Sequence, residues 1–323
     1  MLLYSLSILL GLVVLVWSAD RFISGAAALA DNLGVSPMLI GLTVVGFGTS
    51  APEVLVSVMA AVNGNPGLAI GNAIGSNIAN IGLILGVTAL VIPLSVHSSV
   101  LKREYPILLG VTVICILLML DGELGLLDGG ILLVLLVGVF GWMIYTAKTG
   151  EADPIAGEYD AEIPHDVPTR KALLLLIGGL ILLLISSRVL VWGATNVAVA
   201  LGVSDVVIGL TIVAIGTSLP ELAASITSAM KGEDDIAIGN VIGSNLYNML
   251  AVLSIPGLVA PGVFSPNVLT RDLPVMFGLT LFLFLMGYGF GKPGRINRIE
   301  GLGLLLCFVG YQSWLFYSVV VPL

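Results

Sequence analysis

The chain has 323 residues, of which 58% are hydrophobic and 10% are charged, and its formal net charge is −8. Soluble domains carry about 25% charged residues, so this composition excludes a soluble enzyme, a nucleic-acid-binding protein and a disordered linker. Hydrocarbon accepts only helices or closed barrels, and the apolar runs here are continuous rather than alternating. We therefore predict an all-α integral membrane protein.

Charge-free stretches of about 20 residues, the length that crosses a bilayer, predict ten transmembrane spans. In chain order they lie near residues 3–28, 37–61, 67–93, 104–120, 127–147, 170–198, 204–230, 236–260, 272–290 and 299–321. An acidic segment with six of the twenty carboxylates separates the fifth span from the sixth. We accordingly divide the chain into a first half (1–147), a linker (148–169) and a second half (170–323).

The basic residues indicate how the chain is oriented in the membrane. If the N-terminus is outside, ten of the twelve lysines and arginines fall on the cytoplasmic side, and Arg188 and Arg271 fall on the outer side. Cytoplasmic loops of membrane proteins are enriched in lysine and arginine. The sequence therefore predicts a multi-pass protein of the cell membrane with both termini outside and the linker 148–169 in the cytoplasm.

The two halves repeat each other at a constant offset, without a gap between the matching segments. GLTVVGFGTSAPE (41–53) aligns with GLTIVAIGTSLPE (209–221), and GNAIGSNIAN (71–80) aligns with GNVIGSNLYN (239–248). Five spans in each half give the two copies opposite orientations, so we predict two inverted five-helix repeats. This architecture is typical of secondary transporters, which bind their substrate near the midplane between the repeats. A purely structural duplication is the alternative, but the repeated segments are polar rather than merely apolar.

Glu53 and Glu221 occupy equivalent positions in apolar spans, where an ionisable residue is costly and usually functional. A proline directly precedes each glutamate and interrupts the helix, because it removes a backbone N–H. Hydroxyl residues three and four positions earlier share the glutamate's helix face. They are Thr49 and Ser50 in the first half and Thr217 and Ser218 in the second. The alternative reading is a protonated glutamate that hydrogen-bonds between helices.

A second polar stripe lies one span later in each half. Its members are spaced four residues apart and are Asn72, Ser76 and Asn80 in the first half and Asn240, Ser244 and Asn248 in the second. The residues of the stripe that we favour as ligands are Ser76, Asn80, Ser244 and Asn248. For the other amides an interhelical hydrogen bond and a role at a helix end are equally open. These amides are Asn72, Asn77, Asn240 and Asn245.

All of these candidate ligands carry oxygen, and neither cysteine nor histidine is among them. Zinc, copper and iron, which favour sulfur and imidazole ligands, are therefore poor candidates. Calcium binds about six to eight oxygens from carboxylates, carbonyls and similar donors, whereas magnesium usually keeps several of its waters. The sequence therefore predicts a site for calcium and for sodium, which is similar to calcium in size.

The paired motifs GTSAPE/GTSLPE and GNAIGSN/GNVIGSN resemble the two repeats of the sodium/calcium exchanger family, within the calcium/cation antiporter superfamily. The chain is most similar to the short prokaryotic members. The resemblance implies ten helices, a cation site between spans 2, 3, 7 and 8, and a sliding movement of spans 1 and 6. By motif position it implies twelve ligand residues. They are Gly46 and Ala214 through their carbonyl oxygens, and Thr49, Ser50, Glu53, Ser76, Asn80, Thr217, Ser218, Glu221, Ser244 and Asn248.

The resemblance implies a secondary active antiporter that exchanges sodium for calcium by alternating access, and the charge of two carboxylates makes the exchange electrogenic if more than two sodium ions bind. We expect no enzymatic activity, no cofactor, no nucleic acid and no obligatory protein partner; the expected partners are Na⁺, Ca²⁺ and the lipid bilayer. Proton/calcium exchange and, as a different class, a cation channel are the alternatives, and the duplicated Thr–Ser pairs favour sodium. Some relatives, including the potassium-dependent branch, carry aspartate where this chain has Asn248, so potassium co-transport is in doubt.

Overall fold

The computed structural model describes residues 1–34, 46–96, 99–149, 163, 166–289 and 294–320, and most of them are helical. The helices of the first half are α1 (Leu2–Asn32), α2 (Gly46–Thr49), α3 (Ala51–Val62), α4 (Pro66–Val91), α5 (Ser99–Leu118) and α6 (Leu126–Thr149). Those of the second half are α7 (Thr169–Leu201), α8 (Asp205–Thr217), α9 (Leu219–Lys231), α10 (Asp234–Val259), α11 (Val268–Tyr288) and α12 (Arg298–Val320). Most of the linker 148–169 lies outside the described residues.

Seven of the described helices are long and apolar enough to cross a membrane, and they are α1, α4, α6, α7, α10, α11 and α12. Helices α8 and α9 form an eighth candidate, with a bend of 41° between them. Helix α3 has 12 residues and lies in the predicted span 37–61, of which residues 37–45 are outside the described residues. Helix α5 covers residues 104–118 of the predicted span 104–120 but has three charged residues near its start. The count of ten spans therefore stays a prediction.

The helices of the two halves recur at the same offset as the sequence motifs. Residues 66–91 form α4, and residues 234–259 form α10. Both helices contain a π-helical segment, and these segments, Asn80–Leu85 and Asn248–Val252, begin at equivalent asparagines. Such segments within α-helices are frequent at functional sites.

Two short antiparallel strand pairs connect the loops of one half to the loops of the other. Strand β1 (Leu94–Val96) pairs with β4 (Gly294–Ile296), and β2 (Glu123–Leu124) pairs with β3 (Gly262–Val263). Strands β1 and β4 follow α4 and α11, whereas β2 and β3 follow α5 and α10. Each pair therefore joins two interhelical connections that come from different halves.

The two longest helices, α1 and α7, pack against each other in antiparallel orientation. Gly25 of α1 lies against Ala172 near the start of α7, and Gly193 near the end of α7 lies against Tyr4. A β-carbon at Gly25 would come within 2.7 Å of the Ala172 carbonyl oxygen, so the backbones touch where glycine leaves room. The helices have 31 and 33 residues, which is about 46 and 50 Å at 1.5 Å per residue and longer than the bilayer core.

Helices α4 and α10 form the interior of the molecule. In the most apolar 18-residue stretch of each helix, 78% and 94% of the residues are buried. Helix α4 approaches α8 closely because Gly71 lies against the carbonyl oxygen of Val206 and against Gly209. One turn later, Gly75 lies against Leu210 and Ala214 of the same helix. This contact brings the polar stripe of α4 next to the bend between α8 and α9.

The variant Gly71→Ala should destabilise the protein. Its β-carbon would contact the backbone of Val206 and lie 3.0 Å from the Cα of Gly209, and neither backbone can give way cheaply. Overpacking of this kind costs about 1–3 kcal/mol, which thermal unfolding in detergent would report as a lower midpoint. The matched control is Gly110→Ala in α5, where nothing lies within 4 Å of the added carbon. Equal stability of the two variants would contradict the proposed role of this contact.

Candidate cation site

Each of the two glutamates lies in the first turn of a helix that follows a break. Helix α2 ends at Thr49 and α3 begins at Ala51, and in the second half α8 ends and α9 begins at the equivalent positions. At the break residues Ser50 and Ser218, φ is −85° and −83° and ψ is close to zero. A proline occupies the first turn of each following helix, where its missing N–H costs least. The interrupted helices predicted from these prolines are thus confirmed.

Both glutamate side chains are completely buried, with 0% exposure. Glu53 Oε1 accepts a hydrogen bond from Ser218 Oγ at 3.4 Å, and Glu221 Oε1 accepts one from Ser244 Oγ at 3.4 Å. Within the described part of the chain, neither carboxyl group pairs with a lysine or arginine, although the two interact electrostatically with each other. An uncompensated buried charge costs several kcal/mol, so these groups require a bound cation or a proton.

Ligands predicted in different halves meet in one cluster. The hydroxyl of Ser218, in the second half, donates to Glu53 in the first. Thr49 Oγ1, in the first half, lies 3.4 Å from Ser244 Oγ in the second. Because Ser244 also donates to Glu221, this chain of contacts links the two helix breaks to α10. The sequence repeat alone did not show which hydroxyl meets which carboxylate.

Several buried oxygens of the predicted ligands have no hydrogen-bond partner among the described residues. They are Glu53 Oε2, Glu221 Oε2, Ser76 Oγ, Asn80 Oδ1 and Asn248 Oδ1. Buried polar atoms in proteins nearly always have a partner, so a cluster of this kind calls for a specific explanation. The donor set consists of carboxylate, hydroxyl and amide oxygens, and it suits a hard cation.

The other predicted ligands are Thr217 and the carbonyl oxygens of Ala214 and Gly46. The Ala214 carbonyl oxygen accepts the backbone N–H of Ser218 at 3.1 Å, and Thr217 Oγ1 lies 3.4 Å from it. Gly46 is the first residue of α2, and the sequence repeat makes it equivalent to Ala214. The structure therefore keeps all three at the helix breaks.

The structure gives different contacts to the four amides whose roles the sequence left open. Asn72 Nδ2 donates to the carbonyl oxygen of Glu53 at 3.1 Å and to Ser57 Oγ at 3.0 Å. Asn240 Nδ2 donates in the same way to Glu221 and Ser225, both at 3.4 Å. These two amides are therefore interhelical hydrogen-bonding groups.

Asn77 and Asn245 have other contacts. Asn77 Nδ2 lies 3.7 Å from Met276 Sδ, and Asn245 Oδ1 accepts from Asn80 Nδ2 at 3.0 Å. The sequence analysis missed Ser57 and Ser225, which are buried partners of the bridging amides. The sequence could have indicated both serines, because each lies about one helical turn after a glutamate and they occupy equivalent positions in the two repeats.

The charge of the candidate site is low for a metal centre. In the described part of the chain, no three histidine, cysteine, aspartate or glutamate side chains gather into a group that could hold a metal ion. Two carboxylates therefore stand among neutral oxygens. Such a set fits calcium or sodium ions that must bind and leave again better than it fits a permanently held zinc ion.

Comparison with known proteins gives matches over nearly the whole chain. Residues 3–145 and 171–317 match the family described as "Sodium/calcium exchanger protein". The chain is 50% identical to the putative antiporter CaxA of Alkalimonas amylolytica over 98% of this chain and 100% of that protein. It is 33% identical to the sodium/calcium exchanger MaX1 of Methanosarcina acetivorans, over 97% and 98% of the two chains. A solved structure of the sodium-calcium exchanger NCX_Mj is 35% identical, with a TM-score of 0.68 over 97% and 98%.

Glu53→Gln and Glu221→Gln should each abolish stabilisation by calcium while leaving the protein folded. A ligand that binds only the native state raises its unfolding temperature, and each variant removes half of the buried negative charge. In calcium-free buffer the variants should unfold no earlier than the wild type, because an uncompensated buried charge is gone. The measurement is thermal unfolding in detergent with and without calcium, and the control is Glu123→Gln at an exposed position in β2. A double variant that keeps the calcium response would contradict the assignment.

Proposed function

The chain belongs to the sodium/calcium exchanger protein family, and from this premise we propose that it is a secondary active antiporter that exchanges sodium for calcium across the membrane. One observation carries the proposal. Two completely buried carboxyl groups, one from each half, have no basic partner in the described part of the chain and are surrounded by neutral oxygens. One calcium ion compensates the charge of this pair fully. Sodium ions can take the place of the calcium ion, and their total charge then depends on how many of them bind. We propose all twelve predicted ligand residues as the cation site.

Two inverted repeats, residues 1–147 and 170–323, give the proposed transporter its architecture. The family match falls into two blocks, 3–145 and 171–317, that leave out the linker. The strand pairs also fit ten spans with both termini outside. In that topology the connections after α4 and α11, which carry β1 and β4, both face the cytoplasm, and those carrying β2 and β3 both face outward.

Alternating access is supported by the unequal surroundings of the two repeats. Ala51 at the start of α3 is 5% exposed and packs in a cluster with residues of α1 and α7, whereas the equivalent Leu219 of α9 is 38% exposed. Asn65 Nδ2 also donates to Thr195 Oγ1 of α7 at 3.0 Å. The equivalent positions are Glu233 and Ala27, which cannot form this amide–hydroxyl bond. In the state that opens to the other side of the membrane, the long helices α1 and α7 would slide so that they cover the start of α9 instead of the start of α3.

The charge of the site explains why exchange would be obligatory. The empty site has a formal charge of −2, one calcium ion makes it neutral, and n sodium ions make it n − 2. Enclosing an uncompensated charge away from water is expensive, so the empty carrier should change sides far more slowly than either loaded form. If more than two sodium ions bind, the sodium-loaded step carries positive charge across the membrane, and transport is electrogenic.

Proton/calcium exchange and a cation channel remain the competing functions. A proton exchanger would neutralise the same two glutamates with protons and would need no further sodium ligands. The duplicated hydroxyls at the helix breaks favour sodium. Channels usually build their filters from several subunits, whereas here one chain supplies both halves of the site.

Proteoliposomes loaded with labelled calcium test the proposal directly. They should lose calcium only when sodium or calcium is present outside. An inside-positive potential should slow the sodium-driven release, since each net positive charge that moves against 100 mV costs about 2.3 kcal/mol. Equally fast release into a medium without either ion would contradict antiport and favour a channel. Release driven by a proton gradient in the absence of sodium would favour the proton exchanger.

Asn248 should make transport independent of potassium. Its side chain is neutral and completely buried, so the site has two carboxylates rather than three. Asn248→Asp adds a third and should alter the selectivity among sodium, potassium and calcium. The measurement is calcium exchange with potassium present or absent on both sides, with Asn248→Ala as the control for loss of the amide alone. A wild-type protein that requires potassium would overturn this interpretation.

A further inference from the structure

The asparagines near the site differ in how many of their polar atoms the protein already uses. An asparagine side chain offers two N–H donors and one carbonyl oxygen. Both donors of Asn72 are used, by Glu53 and Ser57, and its Oδ1 accepts from Thr217. Neither polar atom of Asn248 has a partner among the described residues. Asn248 is thus available to a cation, whereas Asn72 is fully engaged by the protein.

The bond between Asn72 and Thr217 fixes the direction of a hydroxyl hydrogen. A threonine hydroxyl has one hydrogen and two lone pairs, and a cation can approach only the lone pairs. A coordinating threonine must therefore donate its hydrogen away from the ion. Thr217 Oγ1 lies 3.2 Å from Asn72 Oδ1 and 3.4 Å from the Ala214 carbonyl oxygen, which is itself a proposed ligand. Donation to Asn72 leaves the oxygens of both Thr217 and Ala214 free to face a cation.

The other repeat contains the same arrangement. Thr49 Oγ1 donates to Asn240 Oδ1 at 3.2 Å, while Asn240 Nδ2 donates to the carbonyl oxygen of Glu221. In each case the asparagine and the threonine that donates to it come from opposite halves. The same asparagine donates to the backbone carbonyl of the glutamate in the asparagine's own half. The two amides are buried, with 0% and 8% exposure, so water does not readily replace either bond.

We propose that Asn72 and Asn240 are positioning residues that take the hydroxyl hydrogens of Thr217 and Thr49 and thereby turn both threonine oxygens toward the transported cation. The inference rests on the proposed function, and it concerns the neutral ligands rather than the carboxylates. Without Asn72, the hydrogen of Thr217 turns to the Ala214 carbonyl or to the Glu53 carboxylate, so that Thr217 and a neighbouring ligand are weakened together. If more than two sodium ions bind, they outnumber the two carboxylates, and at least one of them depends on neutral ligands.

A double-mutant cycle with Asn72→Leu and Thr217→Val tests this mechanism. The readouts are the sodium concentration that half-saturates release of labelled calcium from proteoliposomes and the maximal rate of that release. We expect Asn72→Leu to raise the half-saturating sodium concentration about tenfold, the effect of one lost hydrogen bond of typical strength. The maximal rate should change much less. The double variant should be no worse than Thr217→Val, because Asn72 acts through that hydroxyl.

The matched control is Asn196→Leu, which should leave both readouts unchanged. Asn196 lies on α7 and its amide donates to the carbonyl of Trp192 in the same helix at 2.8 Å. The inference would be overturned if the double variant raised the half-saturating sodium concentration by the product of the two single effects. A lower maximal rate with an unchanged half-saturating sodium concentration would overturn it too. If Asn72→Leu does not fold, the cycle of Asn240→Leu with Thr49→Val gives the same test. Failure of the wild type to exchange calcium would instead overturn the proposed function.

Discussion

Glu53 and Glu221 bring two carboxyl groups into a fully buried space in which the described residues supply no lysine or arginine to compensate them. Isolated charges in such surroundings are expensive, and hydrogen bonds from neutral hydroxyls, two of them at 3.4 Å, offset only part of the cost. The compensation has to come from a proton or a bound cation, and the proposed exchange supplies cations that enter and leave. The neutral oxygens around the pair suit this proposed role, because they can stabilise a cation without holding it permanently.

Close backbone contact is what allows residues from different halves to share one site. Gly71 and Gly209 let α4 and α8 touch, and this contact places Asn72 within 3.2 Å of Thr217. A larger residue at either glycine would separate the helices and stretch that bond. The helix breaks add to the effect, because they turn hydroxyls and carboxylates of one half toward the polar stripe of the other.

The repeats are similar in sequence but unequal in their contacts. Ser218 and Ser50 each lie beside the glutamate of the opposite half, Glu53 and Glu221. Ser244 Oγ donates to Glu221 at 3.4 Å, whereas the equivalent Ser76 Oγ has no partner among the described residues. The long helices α1 and α7 also pack unequally against the two halves, since Ala51 at the start of α3 is buried among their residues whereas the equivalent Leu219 is exposed.

The sequence by itself determined the membrane class, the helical breaks and the residue types at the site. Long charge-free runs exclude a water-facing surface, proline cannot donate a hydrogen bond, and a single constant offset pairs the two motifs without a gap. Tertiary structure alone decided which amides bridge the halves and which remain available to an ion. Asn72 and Asn248 belong to the same stripe pattern, but their roles depend on what lies opposite them. Distances of 3.0 to 3.4 Å across helices arise from packing, and a linear pattern of residue types does not encode them.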